Sequence, residues 1–254
     1  MLAAERRNSI EKLITEKGSV LVVDLAKQFN VTTETIRGDL YKLEKQGVLF
    51  RTYGGAMIAG NSEADSAINE RDTVNFEGKQ RIGLEAAQMI RSGETIFLDA
   101  STSSLHVARS IKNKRGITVI TNAEKVVTEL SSCADIHVIC TGGVLNARNM
   151  SFSGRIAENN IRENYFADKI FFSCKGVTIE HGLVDVNETE AEIKKAMIKN
   201  SKNVIFLCDH NKIGKLGVSR VAAFSDIDCM ITDIKLDEEW IREAQNRDIH
   251  LISV

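Results

Sequence analysis

Proline is absent from all 254 residues, where ordinary usage would supply about 13. Linkers must therefore be found from glycine and small polar residues. Paired cysteines are missing too. Cys133, Cys140, Cys174, Cys208 and Cys229 are five in number, widely spaced and without a C-x-x-C. That argues against a disulfide framework or a zinc knuckle, and most of these cysteines lie in apolar runs as ordinary buried thiols. His106, His137, His181 and His250 show no metal-ligand spacing. No metal and no cofactor is expected. No apolar run reaches the roughly 18 residues of a membrane helix. The amino end turns charged and then amphipathic, without the apolar core of a secretion signal. The expectation is a cytoplasmic protein with no membrane partner. Charge of one sign is also lacking, with a formal net charge of −2.

What is present is an ordinary globular composition, 43% hydrophobic and 27% charged. It excludes wholesale disorder, and the length suits one large domain or two unequal ones. Residues 1–56 carry nine Lys/Arg against seven Asp/Glu, and the remainder 24 against 28, so the basic end is the amino end.

Three segments separate by pattern. Residues 1–57 read as three helices followed by a short Gly-ended extended piece, residues 58–75 as a small, polar linker, and residues 76–254 as a larger domain. In that domain short apolar runs at 95–99, 117–121, 136–140, 169–173, 204–208, 229–232 and 249–253 alternate with amphipathic stretches of helical period. Continuous apolar strands separated by helices predict an α/β fold with a mostly parallel sheet covered on both faces. Ligands of such sheets bind outside the carboxyl ends of the strands.

In the amino-terminal segment, Ile10, Leu13 and Ile14 share one helical face, and Gly18 suits the stop. A second helix spans about 22–29, Asn30 makes the turn, and Thr32 suits the N-cap of a third. Ile36, Leu40 and Leu43 turn inward on that third helix, leaving Thr33, Glu34, Arg37, Gly38, Tyr41 and Lys42 outward. A short helix, a tight turn and a helix presenting Thr, Arg and Lys is the layout of a helix-turn-helix. Arginine reaches guanine edges in paired hydrogen bonds, and threonine reaches bases or phosphates. Residues 48–56 then read as a wing with Arg51 at its tip. The DNA-contact candidates are Thr32, Thr33, Thr35, Arg37, Lys42, Arg51 and Tyr53. The plain alternative is a small three-helix module with a solvated third helix.

In the larger domain, four strand ends carry polar, small or charged residues: Asp99-Ala-Ser101-Thr102-Ser103, Thr121-Asn122, Thr141-Gly142-Gly143 and Asp209-His-Asn-Lys212. Each alone is turn or cap chemistry. Together they outline a pocket, in which small hydroxyl residues at a helix N-terminus suit a phosphate. Glu190 and Lys194 stand four apart on a helix, as a surface ion pair or a pocket pair.

The amino-terminal run resembles the DeoR family of bacterial transcription regulators. The residues that carry the resemblance are Arg7, Val22-x-x-Leu25-Ala26, Val31-Thr32-x-x-Thr35-Ile36-Arg37-x-Asp39-Leu40-x-x-Leu43-Glu44, Gly47 and Arg51-x-x-Gly54-Gly55-Ala56. It continues through Thr121-Asn122, Gly142-Gly143, Ser151-Phe152-x-Gly154, Asp168, Gly176, Gly182-Leu183, Glu190-x-x-x-Lys194 and Asp209-His210-x-Lys212. The resemblance implies a winged helix-turn-helix followed by a sensor domain similar to the ribose-5-phosphate isomerase and CoA-transferase folds. It also implies double-stranded operator DNA and a phosphorylated sugar effector as partners. By that analogy Ser101, Thr102 and Ser103 hold the phosphate, Lys175, Lys194 and Lys212 add positive charge, and Asp99, Asn122, Glu190 and Asp209 bind hydroxyls. Thr121, Gly142 and Gly143 complete the expected site. A helix-turn-helix of this size reads few bases alone, so a dimer or tetramer is expected.

The favoured reading is thus a repressor of sugar or carbohydrate genes and not an enzyme, with no catalytic residue assigned. A sugar-phosphate isomerase with an added amino-terminal module is the alternative, since carboxylates and lysines at strand ends suit acid–base chemistry. An adaptor without DNA or ligand is a third reading, which leaves the pocket residues unexplained.

Overall fold

The computed structural model describes residues 2–17, 19–46, 48–51, 54–58 and 68–254. The expected contact Tyr53, the helix stop Gly18 and half of the expected linker, residues 59–67, lie outside the described residues.

Helices α1 (Ala3–Lys17), α2 (Val22–Phe29) and α3 (Thr33–Lys45) fold over one core, with strands β1 (Ser19–Leu21), β2 (Leu49–Arg51) and β3 (Gly55–Ile58) beside them. Ile10, Ile14, Leu25, Ile36, Leu40, Leu43, Leu49 and Ala56 fill that core. Asn30 takes a left-handed conformation, φ 52°, and turns the chain between α2 and α3. Thr32 caps α3 by accepting from the Thr35 N–H at 3.2 Å. A buried ion pair fastens α1 to α3, Arg6 Nε to Asp39 Oδ2 at 2.5 Å, with Arg7 Nη1 3.4 Å from Asp39 Oδ1. The wing is a three-stranded sheet in the order β1-β3-β2. Its hairpin was legible; β1, three residues long, gave no period to read.

The remaining chain runs α4 (Ile68–Thr73), α5 (Phe76–Gln88), β4 (Thr95–Leu98), α6 (Thr102–Ser110), β5 (Ile117–Thr121), α7 (Glu124–Leu130), β6 (Ile136–Cys140), β7 (Val144–Asn146), β8 (Ser151–Ser153), α8 (Arg155–Asn164) and β9 (Ala167–Phe172). It goes on through β10 (Gly176–Thr178), β11 (Gly182–Asp185), α9 (Glu188–Lys199), β12 (Ser201–Cys208), β13 (Ser219–Ala222), β14 (Cys229–Thr232), α10 (Glu238–Gln245) and β15 (His250–Ser253). The seven apolar runs all become strands of one parallel sheet, in the order β15-β14-β12-β9-β4-β5-β6. Alternate residues feed opposite cores. Phe97, Phe172 and Phe206 face one side with Ala191 and Met197 of α9, while Ile96, Leu98, Phe171 and Ile205 face the other with Ile82 of α5 and Val107 of α6.

Chain order reverses between β4 and β9, so the two neighbours send their following segments to opposite faces. The carboxyl ends of strands at such a switch point are where ligands of doubly wound sheets bind. Two smaller sheets, β10-β11-β13 and β7-β8, are antiparallel and flank that end. Helix α4 lies within the stretch 58–75 expected to link the two parts. It is bonded to the larger domain, through Ile68 N–H to the Arg148 carbonyl at 3.1 Å and Arg109 Nη2 to Asp72 Oδ2 at 2.8 Å.

Candidate effector pocket and DNA-reading surface

On α3, Arg37 and Lys42 are exposed, and Thr33 is half-buried. Arg37 Nη1 lies 2.8 Å from Glu34 Oε2, an ion pair in which both side chains are more than half exposed, so it holds the guanidinium weakly. The Thr32 and Thr35 hydroxyls, 2.9 Å apart, bond to each other at the helix start. Arg51 does not extend freely from the wing as its place at the tip suggested. Its Nε donates to Glu44 Oε2 at 2.6 Å, and its guanidinium lies 4.9 Å from the Tyr41 ring centroid. Glu44 is held below its usual pKa by the Arg51 backbone N–H and side chain. The wing is thereby braced on the third helix, and Tyr41 is an exposed member of the surface between them.

The candidate site begins at Asp99, the residue that follows β4. Asp99 is wholly buried. Its Oδ1 accepts from the Ser101 hydroxyl at 2.6 Å and the Ser104 hydroxyl at 2.5 Å. Its Oδ2 accepts from the Ser173 N–H at 3.4 Å and lies 3.6 Å from Lys194 Nζ. One carboxylate thus ties the ends of β4 and β9 to the start of α6. Ser101 caps α6 by accepting from the Ser104 N–H. The expected phosphate cradle is therefore partly engaged already, because the Ser101 hydroxyl serves as cap and as donor to Asp99. The Ser103 hydroxyl, buried at the same helix start, has no partner. Thr102 is buried beside it.

On the neighbouring strand, the Thr121 hydroxyl is bonded within the protein. It donates to the Leu98 carbonyl at 2.7 Å and accepts from the Ala123 N–H at 3.0 Å. Asn122 is different: its Nδ2 donates to the Phe152 carbonyl at 3.0 Å, and its buried Oδ1 has no partner. Gly142 and Gly143 turn the chain with φ 65° and 115°. A Cβ on Gly143 would stand 2.7 Å from the Ser153 carbonyl, so glycine lets β8 approach.

Glu190 and Lys194 are not a surface pair. Both are buried, and each has another partner. Lys194 Nζ bonds Asp185 Oδ2, and Glu190 Oε1 accepts from the Ser151 hydroxyl. Burial opposes the charge on Lys194, but Asp185, Asp99 and Glu190 outweigh it and hold its pKa above the usual value. Burial raises the pKa of Glu190, against the pull of Lys194 and Ser151. Lys212 Nζ donates to the Cys174 carbonyl at 3.0 Å and lies 3.5 Å from Asp209 Oδ2, pinning the ends of β9 and β12 together. Asp209 Oδ1 caps the short turn 210–212 through the Asn211 N–H. Lys175 stands in the turn after β9, and Cys174 beside it is a buried thiol pushed up to about 12 by burial. His210 bonds Asp233, with Nδ1 2.7 Å from Oδ2. Among the described residues no group of His, Cys, Asp and Glu side chains is placed to hold a metal ion. None of the described helices is long and apolar enough to cross a membrane.

Comparison with known proteins decides what this arrangement belongs to. Residues 6–61 match the family described as the DeoR-like helix-turn-helix domain, and residues 74–234 match the DeoR C terminal sensor domain. The chain is 38% identical over its whole length to YulB, an uncharacterized HTH-type transcriptional regulator of Bacillus subtilis (strain 168), and covers 98% of it. The chain belongs to the DeoR family. It is a DNA-binding transcriptional regulator, not an enzyme. The glycerol-3-phosphate regulon repressor of Escherichia coli (strain K12) is 29% identical to this DeoR-family chain over 92% of both. Among solved structures, ribose 5-phosphate isomerase A of Methanocaldococcus jannaschii is similar over 56% of each chain, with 15% identity and a TM-score of 0.42.

Three further charged residues of this DeoR-family chain stand near these strand ends without a motif in the sequence to mark them. Asp185 ends β11 and is the direct partner of Lys194. Arg71 of α4 donates from Nη2 to Asn149 Oδ1 at 2.9 Å, and its buried Nε has no partner. Lys79 of α5 is buried and donates to the Arg71 and Val74 carbonyls at 2.5 and 2.7 Å, satisfying the end of α4. None lies in a recognisable local pattern; only the fold brings them to the sheet end.

Proposed function

We propose that this regulator represses sugar or carbohydrate-metabolism genes, and that a phosphorylated sugar or related metabolite bound at the β4–β9 edge sets its operator affinity. The observation that carries the reading is a pair of buried polar atoms at that edge, Ser103 Oγ and Asn122 Oδ1, with no partner among the described residues. A buried unpaired polar atom costs about 1–3 kcal/mol, and a ligand that bonds it offsets the cost. Buried carboxylates at Asp99, Asp185 and Glu190 suit the hydroxyls of a polyol, while Ser103 at the start of α6 suits a phosphoryl oxygen. Lys175 and Lys212 add positive charge to the same edge. The name of the glycerol-3-phosphate regulon repressor among the relatives supports an effector of this class.

The division we adopt is a DNA-binding domain at 1–57, a link at 58–75 and an effector-binding and self-association domain at 76–254. Thr32, Thr33, Thr35, Arg37 and Lys42 present themselves to operator DNA, with Arg51 and Tyr53 supplying the wing. Because one such module reads few bases, the active species is a dimer or higher oligomer.

Thermal unfolding with ribose 5-phosphate, fructose 6-phosphate and glycerol 3-phosphate, each against its unphosphorylated counterpart, tests the pocket. At least one phosphorylated compound should raise Tm when its counterpart does not. The rise should shrink in Asn122→Leu, which replaces the unpaired amide. Equal shifts with phosphorylated and unphosphorylated compounds, or a full shift in the variant, count against this reading.

A further inference from the structure

Arg71 stands out among the groups the pocket description leaves unexplained. It lies on α4, outside the strand ends, and its buried Nε has no partner among the described residues. Among the described residues its side chain bonds a neutral amide, Asn149 Oδ1. The nearby carboxylates are committed elsewhere: Asp185 bonds Lys194, Asp99 lies 3.6 Å from Lys194 and accepts from two hydroxyls, and Glu190 accepts from Ser151. Arg71 still feels these acids. Burial lowers its pKa, and Asp185, Glu190 and Asp99 act in the opposite direction. A guanidinium taken out of water and given no anion of its own is an expensive arrangement. It makes sense where an anionic oxygen completes it on binding.

The position is also held in place. Asp72, the next residue, takes Arg109 of α6 at 2.8 Å and has His106 Nε2 3.2 Å from its Oδ1. Lys79 satisfies the carbonyl of Arg71 itself at 2.5 Å. Ile68 at the head of the helix bonds the Arg148 carbonyl, two residues before Met150, whose carbonyl accepts from the Glu124 N–H just beyond Asn122. Helix α4 is therefore fastened after Arg71 to α6, which carries Ser103, and before it to the turn that leads into β8.

We propose that Arg71 is an effector-contacting residue, whose guanidinium takes a phosphoryl oxygen of the ligand and so makes α4 part of the binding site. This rests on the sugar-phosphate reading of the pocket. It adds a cation that the sheet edge does not supply, and places it on the helix nearest in sequence to the DNA-binding domain, 13 residues after Ile58.

Isothermal titration of the full chain with ribose 5-phosphate, fructose 6-phosphate, glycerol 3-phosphate and inorganic phosphate, beside ribose, fructose and glycerol, tests it in the parent and in Arg71→Gln. A charge-assisted contact is worth about 10- to 100-fold in affinity. Arg71→Gln should lose that much for whichever phosphorylated compound the parent binds, and little for its uncharged counterpart. Arg71→Lys, which keeps the charge but not the planar fork, should fall between. Parent-like affinity in Arg71→Gln for that compound overturns the assignment and leaves the pocket reading standing. No phosphorylated compound bound by the parent overturns both. If Arg71→Gln does not fold, phenylglyoxal labelling of the parent decides: the compound that binds should protect Arg71, as read by peptide mass spectrometry, and labelling unchanged by it overturns the assignment.

Discussion

At the scale of single residues, two positions on α3 separate reading from folding. Arg37 is exposed and only loosely held by Glu34, so its guanidinium is available to a base edge at small cost. Arg37→Ala should weaken specific operator binding by about 1–3 kcal/mol, while sugar-phosphate binding in the sensor stays unchanged. Filter binding against a mutated operator, paired with calorimetry, measures both. Gly38, its neighbour, is exposed in mid-helix, and a Cβ there would meet nothing within 4 Å. Gly38→Ala should therefore stabilise the amino-terminal domain by about 1 kcal/mol in urea unfolding. Residue types brought these loops forward as candidates but did not show what each side chain does there. In the candidate loop Asp99–Ser104, Ser101 and Ser104 serve Asp99, and Ser103 is the hydroxyl left over among the described residues. Arg71 and Asp185 carry no local signature at all, since their roles arise from long-range packing.

At the scale of elements, the strongest signals were the apolar runs. Each supplied both faces of a buried parallel strand, so all seven were visible without knowing their neighbours. The order of those strands was not visible, and it is the order that sets the switch point between β4 and β9. Strands of three or four residues, such as β7, β8, β10 and β11, are too short for a period of two to register. Helix α4 is six residues long and depends on outside support, much of it from Lys79. Burial, followed by the neighbouring Lys212, pushes the pKa of Lys79 from 10.5 down to about 8. Between those values the unfolded chain binds the extra proton, so this residue makes stability rise with pH from about 8 to 10.5. Lys79→Met should flatten that rise in denaturation curves taken across the interval. It should also weaken sugar-phosphate binding, because α4 loses the donor that closes its end. A variant whose stability keeps the parent's pH slope would remove Lys79 from this role.

At the scale of the whole molecule, direct contacts join the two domains. The Ser19 hydroxyl, at the start of β1, donates to the Leu216 carbonyl at 2.7 Å, and His181 Nε2 lies 3.3 Å from Asp24 Oδ2 of α2. Leu216 belongs to the segment that precedes β13. Two residues on, the Val218 N–H donates to the carbonyl of Asp185, and a Cβ on Gly217 would stand 2.5 Å from that same carbonyl. Asp185 in turn holds Lys194 in the pocket. A displacement at Lys194 thus has a short, packed route to β1 and α2. An effector alters DNA binding only through such a difference between arrangements. The double variant Ser19→Ala, Asp24→Asn should reduce the ligand's effect on operator affinity several-fold, with sugar-phosphate binding by the sensor preserved. The ratio of operator affinities with and without ligand reads it directly.

The central claim is that one chain reads operator DNA and that a phosphorylated sugar controls the reading. Fluorescence anisotropy of the full chain on duplex DNA from its own upstream region, at fixed salt and with non-specific competitor, tests both halves at once when sugar phosphates are added. The account predicts saturable binding that survives the competitor and shifts by at least several-fold with one phosphorylated sugar but not with its unphosphorylated counterpart. Operator binding that no sugar phosphate moves would contradict it.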